Sequence, residues 1–240
     1  MKQPEREFAF DTGELLLVDK PLTWTSFDVV NFIRALIRRF RHPEGIKVGH
    51  AGTLDPLATG LLLLCTGKMT RQIQFLQDMD KVYTGTLKLG LSTPSYDLET
   101  EPDATFPTGD ITPEMVEAAL RTLEGNLQQL PPVYSAVKIN GKRAFNYARK
   151  NKEVKLEARS VQVHSFRITE NRFPELDFEV HCSKGTYIRS LVHDFGIALG
   201  NGAVLTALRR TAIGDYNIAD AWNLDDLKAA IIGNNGSSET

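Results

Sequence analysis

Apolar positions follow several spacings along this chain, and each spacing predicts a different element. Residues 14–19 (ELLLVD) form a tight apolar run that predicts a buried strand ending in the turn Lys20-Pro21. Val29, Val30, Ile33, Leu36, Ile37 and Phe40 recur at helical spacing. They predict a helix with Ser26 as N-cap, ending near Arg41 before Pro43 and Gly45. Residues 45–60 carry Gly45, Gly49, Gly52, Pro56 and Gly60, which predicts one long loop before an apolar strand over 61–66. KVYTGTLKL at 81–89 is rich in β-formers and predicts a strand.

The second half continues in the same way. Thr112-Pro113 reads as N-cap and first helical residue, Val116, Ala119, Leu120 and Leu123 form the apolar face, and Gly125 closes the helix. Val161, Val163, Phe166 and Ile168 predict a strand with one slip in its alternation. Leu176, Phe178, Val180 and Cys182 alternate cleanly with Glu175, Asp177, Glu179 and His181, the mark of a half-exposed antiparallel strand. Ser183-Lys184-Gly185 then turns into a helix faced by Ile188, Leu191, Val192, Phe195 and Leu199 and closed at Gly200. A last helix starts near Asn223, and GNNGSSET is expected to be a flexible tail. Strands and helices mix without a regular βαβ repeat, so the predicted class is α+β.

Composition narrows the function. The 240 residues are 42% hydrophobic and 24% charged, enough for a sizeable core. The longest tight apolar run, 61–65, is far short of the roughly 20 residues of a membrane helix. The N-terminus shows no apolar signal region, and two cysteines with five scattered histidines suggest neither a disulfide framework nor a metal cluster. A soluble, cytoplasmic protein without membrane contact is expected.

Net charge is −2, which excludes a uniformly basic coat but hides strong patches. Residues 91–130 hold eight acids against Arg121 alone, and the stretch 97–110 is expected to be a surface excursion. Residues 138–167 hold nine bases against Glu153 and Glu157, with Tyr134, Phe145 and Tyr147 nearby. Arg34, Arg38, Arg39, Arg41 and Lys47 form a second basic cluster. Such patches attract polyanions, and aromatic residues among the bases suit single-stranded nucleic acid, whose bases stack while its phosphates pair. Taken alone, a basic run is equally a solvated face.

GHAGTLDPLATG at 49–60 is the segment with most chemical promise. Its glycines permit close backbone approach to a ligand, and Pro56 holds Asp55 extended. A single loop carboxylate is commonly a turn residue. Here His50 and Thr53 lie close in sequence, and KGTYIR at 184–189 offers an arginine that could keep the aspartate ionised and nucleophilic.

GHAGTLDPLATGLL, DKPLTWTS, KVYTGTLKLG, PPVYSAVKINGKRAFNYAR, HCSKGTYIRSL and LRRTAIGDY together resemble the TruB family of tRNA pseudouridine synthases. The blocks occur in the family's order over about residues 13–228. The resemblance implies a pseudouridine-synthase fold, a mixed, mainly antiparallel central sheet flanked by helices and loops. It implies one catalytic domain over about 1–232, with an RNA-gripping insertion near 133–160. The implied reaction is isomerisation of the T-loop uridine at tRNA nucleotide 55, with neither metal nor organic cofactor.

Residue by residue, Asp55 stands at the family's catalytic aspartate, Tyr83 at the tyrosine that packs on the target uracil, and Arg189 at the arginine that pairs with the aspartate. His50, Tyr187 and Leu208 fall on positions that contact the flipped nucleotide or fill its space. Lys20, Lys138, Lys142, Arg143, Arg149, Lys150 and Lys152 are the expected RNA contacts. Each has a plainer reading: Tyr83 as core or surface packing, Leu208 as core, His50 as a satisfied loop histidine, Arg189 as a partner of Asp194 or a helix cap.

Three departures stand out. Thr23 replaces the glycine of DKP-x-G-x-TS, so that turn is expected to differ slightly. Phe145 replaces a common tyrosine. No further C-terminal RNA-binding module is expected, and that expectation favours a stand-alone monomer acting on the tRNA T arm over a guide-dependent relative with partner proteins. A non-catalytic tRNA-folding chaperone is the remaining alternative, and the intact Asp55, Tyr83 and Arg189 set speaks against it.

Overall fold

A computed structural model describes residues 7–135, 137–139, 141–148 and 156–233. In chain order it runs β1 (Leu15–Lys20), α1 (Ser26–Phe40), β2 (Val48–His50), β3 (Ala58–Thr66), a 3-10 turn and α2 (Ile73–Asp78). There follow β4 (Lys81–Leu89), β5 (Leu91–Ser92), β6 (Ala104–Thr105), α3 (Pro113–Arg121) and β7 (Gly125–Gln129). The hairpin β8 (Lys138–Ile139) and β9 (Lys142–Arg143) leads into α4 (Ala144–Ala148). The remainder is β10 (Arg159–Arg172), β11 (Glu175–Cys182), α5 (Ile188–Ala198), β12 (Ala203–Ile213), β13 (Tyr216–Asn217) and α6 (Leu224–Ile232). The fold is α+β, as the pattern predicted. Two units divide it: one takes the chain up to Lys81 and from Arg209 onward, the other runs from Val82 to Leu208.

In the first unit β3 pairs antiparallel with β1, from Leu15 opposite Cys65 to Lys20 opposite Gly60. Alternation sends Leu62 and Leu64 to one face, where Leu16, Val18, Val29, Ile33, Ile37, Leu227 and Ile231 cover them. Leu61, Leu63 and Cys65 turn the other way, onto Ala51, Leu76 and Ile213. Burial on both faces explains why 61–65 is an unbroken apolar run. The expected loop over 45–60 is shorter than predicted. Its start supplies β2, paired with β3 through His50 opposite Leu64, and its end supplies the first residues of β3. Residues 51–57 remain as the loop.

Helix α1 is capped by Thr25 rather than Ser26. Thr25 and Asp28 form a reciprocal capping box, which leaves the buried Ser26 side chain free for another task. In the second unit the strand order is β12-β4-β11-β10-β7, with β12 entering up to Leu208. β10 pairs with β11 through Phe166 opposite Val180 and Ile168 opposite Phe178, with irregularities between Val163 and Ser165 and between Ile168 and Glu170. The first irregularity is the predicted slip. Phe166 meets Phe178 and Phe195 edge-on or tilted at 5.6 and 5.9 Å, centring the core under α5. Thr112 and Pro113 start α3 as predicted, but Gly125 opens β7 at φ +87° instead of closing the helix.

Candidate active site

Asp55 is half-buried on the loop 51–57, and the backbone around it is tied down residue by residue. The Arg210 guanidinium donates to the Gly52 carbonyl at 3.1 Å and reaches that of Thr53 at 3.5 Å. Ser26 grips Leu54 from both sides, accepting from its N–H at 2.8 Å and donating to its carbonyl at 3.2 Å. The Asp55 carbonyl accepts from Ala58 N–H at 3.0 Å, and the Pro56 carbonyl from Thr23 N–H at 2.8 Å. Five consecutive residues are therefore held by α1, the Pro21–Thr25 turn and two strands. Thr23 does this at φ +70°, in the left-handed region that glycine adopts without strain.

The charges around the loop are unusual. Lys20 is fully buried, and its ammonium donates to the carbonyls of Pro21 at 2.9 Å and Trp24 at 2.6 Å. Burial pulls its pKa down to about 8, with the Asp55 charge opposing that fall and Arg210 adding to it. Lys20 is thus an internal cation in the field of Asp55. This corrects the expectation that it contacts RNA: its ammonium is turned away from solvent. His50, on β2, has a buried Nδ1 without a hydrogen-bond partner, and burial holds its pKa below the usual histidine range. Arg209 grips Asp19 with two nitrogens, at 3.0 and 2.6 Å.

In the second unit Arg189 lies in the first turn of α5 and is 3% exposed. It donates to the carbonyls of Ser95 at 3.2 Å and Tyr134 at 2.9 Å, and its Nε lies 3.5 Å from Asp97 Oδ2. Within this unit its acidic partner is Asp97 and not Asp194. Asp97, 5% exposed, corrects the reading of 97–110 as surface throughout. Its carbonyl accepts from Thr93 and Ser95 hydroxyls at 2.7 and 3.2 Å, and its carboxylate from Glu99 N–H at 3.0 Å. Nothing in the acidic run distinguishes Asp97 from its neighbours by sequence. The buried Gln129 amide exchanges two bonds with the Tyr187 backbone, at 2.7 and 3.1 Å, and Ser190 donates to Leu130 at 2.8 Å. The start of α5 is thereby stitched to residues 129–134.

Asp55, His50 and Lys20 share the first unit, while Tyr83, Arg189, Tyr187 and Leu208 belong to the second. Tyr83 is buried on β4, and Leu208 is half-buried on β12. The backbone of Lys138, Lys142 and Arg143 forms the β8–β9 hairpin, with Lys138 opposite Arg143. Their side chains, and all of Arg149, Lys150 and Lys152, lie outside the described residues. Two histidines read as scattered are neighbours: β10–β11 pairing brings the His164 and His181 rings to 4.5 Å.

The N-terminal domain of the TruB family pseudouridylate synthases matches residues 38–188, and the tRNA pseudouridylate synthase B C-terminal domain matches 189–240. The tRNA pseudouridine synthase B of Flavobacterium johnsoniae is 51% identical over 213 residues, covering 88% of this chain and 93% of the relative. That of Phocaeicola vulgatus is 51% identical over 216 residues, covering 90% and 92%. Among solved structures, a chain of a Cbf5-Nop10-Gar1 complex aligns with TM-score 0.68 at 28% identity. The alignment covers 94% of this chain and 57% of that one.

Proposed function

The chain belongs to the TruB family of pseudouridylate synthases, and from that premise we propose that it converts the T-loop uridine at tRNA nucleotide 55 to pseudouridine, with Asp55 as the attacking carboxylate. Tyr83 packs on the flipped uracil, and Arg189 takes the part of the family's aspartate-pairing arginine. His50, Tyr187 and Leu208 contact the extruded nucleotide or fill the space it leaves. Lys138, Lys142, Arg143, Arg149, Lys150 and Lys152 grip the T arm through its phosphates, which gives affinity more than sequence choice. The enzyme acts as a cytoplasmic monomer without an obligate protein partner. Among the described residues, no helix is long and apolar enough to cross a membrane.

The chemistry demands what the Asp55 loop offers. A base in folded RNA must leave its stack at a cost of a few kcal/mol, and stacking on an aromatic ring returns about 1–3 kcal/mol per base. The N1–C1′ bond then breaks, the uracil turns, a C5–C1′ bond forms and the C5 proton leaves while N1 gains one. Asp55 adds to ribose C1′ or to uracil C6; both routes need an ionised carboxylate in a fixed position. Tyr83 is the base assigned to the C5 proton. The observation that carries this reading is the backbone restraint of residues 52–56 beside the buried Lys20 cation. Such restraint has little use in an ordinary surface turn and direct use in a preorganised nucleophile.

The test is to incubate the protein with an unmodified T-arm stem-loop and with full tRNA, without guide RNA or added protein, and map pseudouridine. Product at the T-loop position is expected. Absence of product from both RNAs would overturn the reading, and product only with a guide RNA would move the chain to the guide-dependent class.

A further inference from the structure

Arg210 has no role in the chemistry above and lies in a strand, β12, that the apolar pattern did not predict. It is 1% exposed and the largest fully buried side chain among the described residues. Its Nε donates to the Leu61 carbonyl at 2.8 Å, while its two terminal nitrogens face the Gly52 and Thr53 carbonyls. Among the described residues no carboxylate lies within ion-pair distance of it, so a full buried charge is solvated by carbonyl dipoles alone. That arrangement is costly for stability, since burying an unpaired cation sacrifices its hydration. A methionine or leucine would fill the same volume more cheaply. The cost points to a task that an apolar residue cannot perform.

The geometry identifies the task. Gly52 and Thr53 enter the aspartate loop, and Leu61 lies beyond its exit on β3. One planar guanidinium therefore bridges both stems of the loop with Asp55 between them. The Arg210 backbone closes on the same place: a Cβ at Gly60 would lie 2.3 Å from the Arg210 carbonyl oxygen. Gly52, at φ +100°, turns its carbonyl toward the guanidinium in a conformation that side chains resist.

We propose that Arg210 is a positioning residue for pseudouridine formation, a buried clamp that holds the two stems of the loop in the one geometry that presents the Asp55 carboxylate to the substrate. The clamp rests on the reading of Asp55 as nucleophile. Ser26, through its paired bonds to Leu54, is its counterpart on the α1 side. Lysine cannot substitute, because one ammonium lacks the planar fork that reaches carbonyls on both stems.

Arg210→Lys keeps the charge and most of the volume, and single-turnover rates at saturating tRNA should fall about 100-fold, the scale of a misplacement near 1 Å. The tRNA dissociation constant should stay within about threefold, since the clamp touches no RNA. A folded R210K enzyme with a rate within about threefold of wild type would overturn the proposal, as would a loss confined to tRNA affinity. If R210K does not fold, Gly52→Ala probes the same clamp from the loop: a rate loss of tenfold or more with affinity retained supports it, and a near-normal rate overturns it. Where both variants fold, the double variant should lose far less than the product of the single losses, because both act on one loop geometry. Multiplying losses would overturn a shared clamp. Asp55→Asn run in parallel separates the two claims: an active D55N removes the nucleophile reading itself, whereas an inactive D55N beside a normal R210K removes only the clamp.

Discussion

Arg210 in the first unit and Arg189 in the second are both almost completely buried, yet they are satisfied differently. Arg210 donates only to carbonyls of the segment it holds, while Arg189 combines two carbonyls with the buried carboxylate of Asp97. The first arrangement fixes backbone geometry and depends on the shape of the donor fork. The second also balances charge, so it depends on the acid that supplies the balance. On the proposed roles, Asp55 as a nucleophile on a loop needs its backbone held, whereas Arg189 as a cation needs its charge tuned.

Asp97→Asn tests this contrast most severely. The amide keeps much of the shape but removes the Asp97 charge beside Arg189, and breaking a buried pair costs about 3 kcal/mol. Urea unfolding should show a loss of that order, and turnover should fall with it. A loss below about 0.5 kcal/mol would mean that the Asp97 charge contributes little to holding Arg189, and the contrast would collapse.

Asp194, also on α5, sharpens the same point with a smaller effect. Burial pushes its pKa from 3.8 up to about 6. Because the folded value lies above the unfolded one, the protonated form favours folding; that contribution is complete below pH 3.8 and is lost as pH rises through 6. At pH 7 the charged group is therefore a burden. Asp194→Asn should raise stability there by about 1 kcal/mol, a figure discounted for its partial exposure to screening solvent, and the gain should vanish near pH 4. Thermal melts at the two pH values measure it, and an equal gain at both would refute the assignment.

Thr23→Gly is the mildest change. A β-branched residue in the left-handed region costs roughly 1–2 kcal/mol, of which the greater freedom of unfolded glycine takes back about 0.5–1 kcal/mol. A net gain near 0.5 kcal/mol in chemical denaturation is expected, with the Pro56 bond intact because it uses the Thr23 backbone. A net loss would mean that the threonine side chain contributes a contact worth more than its strain.

The boundaries of β4, the Thr112 cap of α3 and the face of α5 were legible because each rests on local chemistry: β-branched runs, a cap followed by proline, and apolar residues at helical spacing. Asp55 stood out as the proposed nucleophile through its glycine-rich setting and the resemblance. The residues that hold it did not. Ser26 was read as a cap because it precedes an apolar helix; the T-x-x-D spacing of Thr25 and Asp28 was the signal that assigns the cap elsewhere. β12 escaped because Arg209, Arg210 and Thr211 interrupt its apolar pattern, and only tertiary packing shows that Arg210 is interior. Asp97 was hidden among seven other acids for the same reason: burial is a property of the fold, not of the local sequence.

The central claim is that Asp55 is the attacking carboxylate, and Asp55→Asn tests it with almost no change in volume. The measurement is single-turnover pseudouridine formation on an unmodified T-arm stem-loop, with RNA affinity recorded on the same samples. Wild-type affinity is expected with a rate reduced at least about 1,000-fold, as when a nucleophile is removed. A variant that forms pseudouridine at near wild-type rate would contradict the claim and leave Asp55 a well-tethered turn residue.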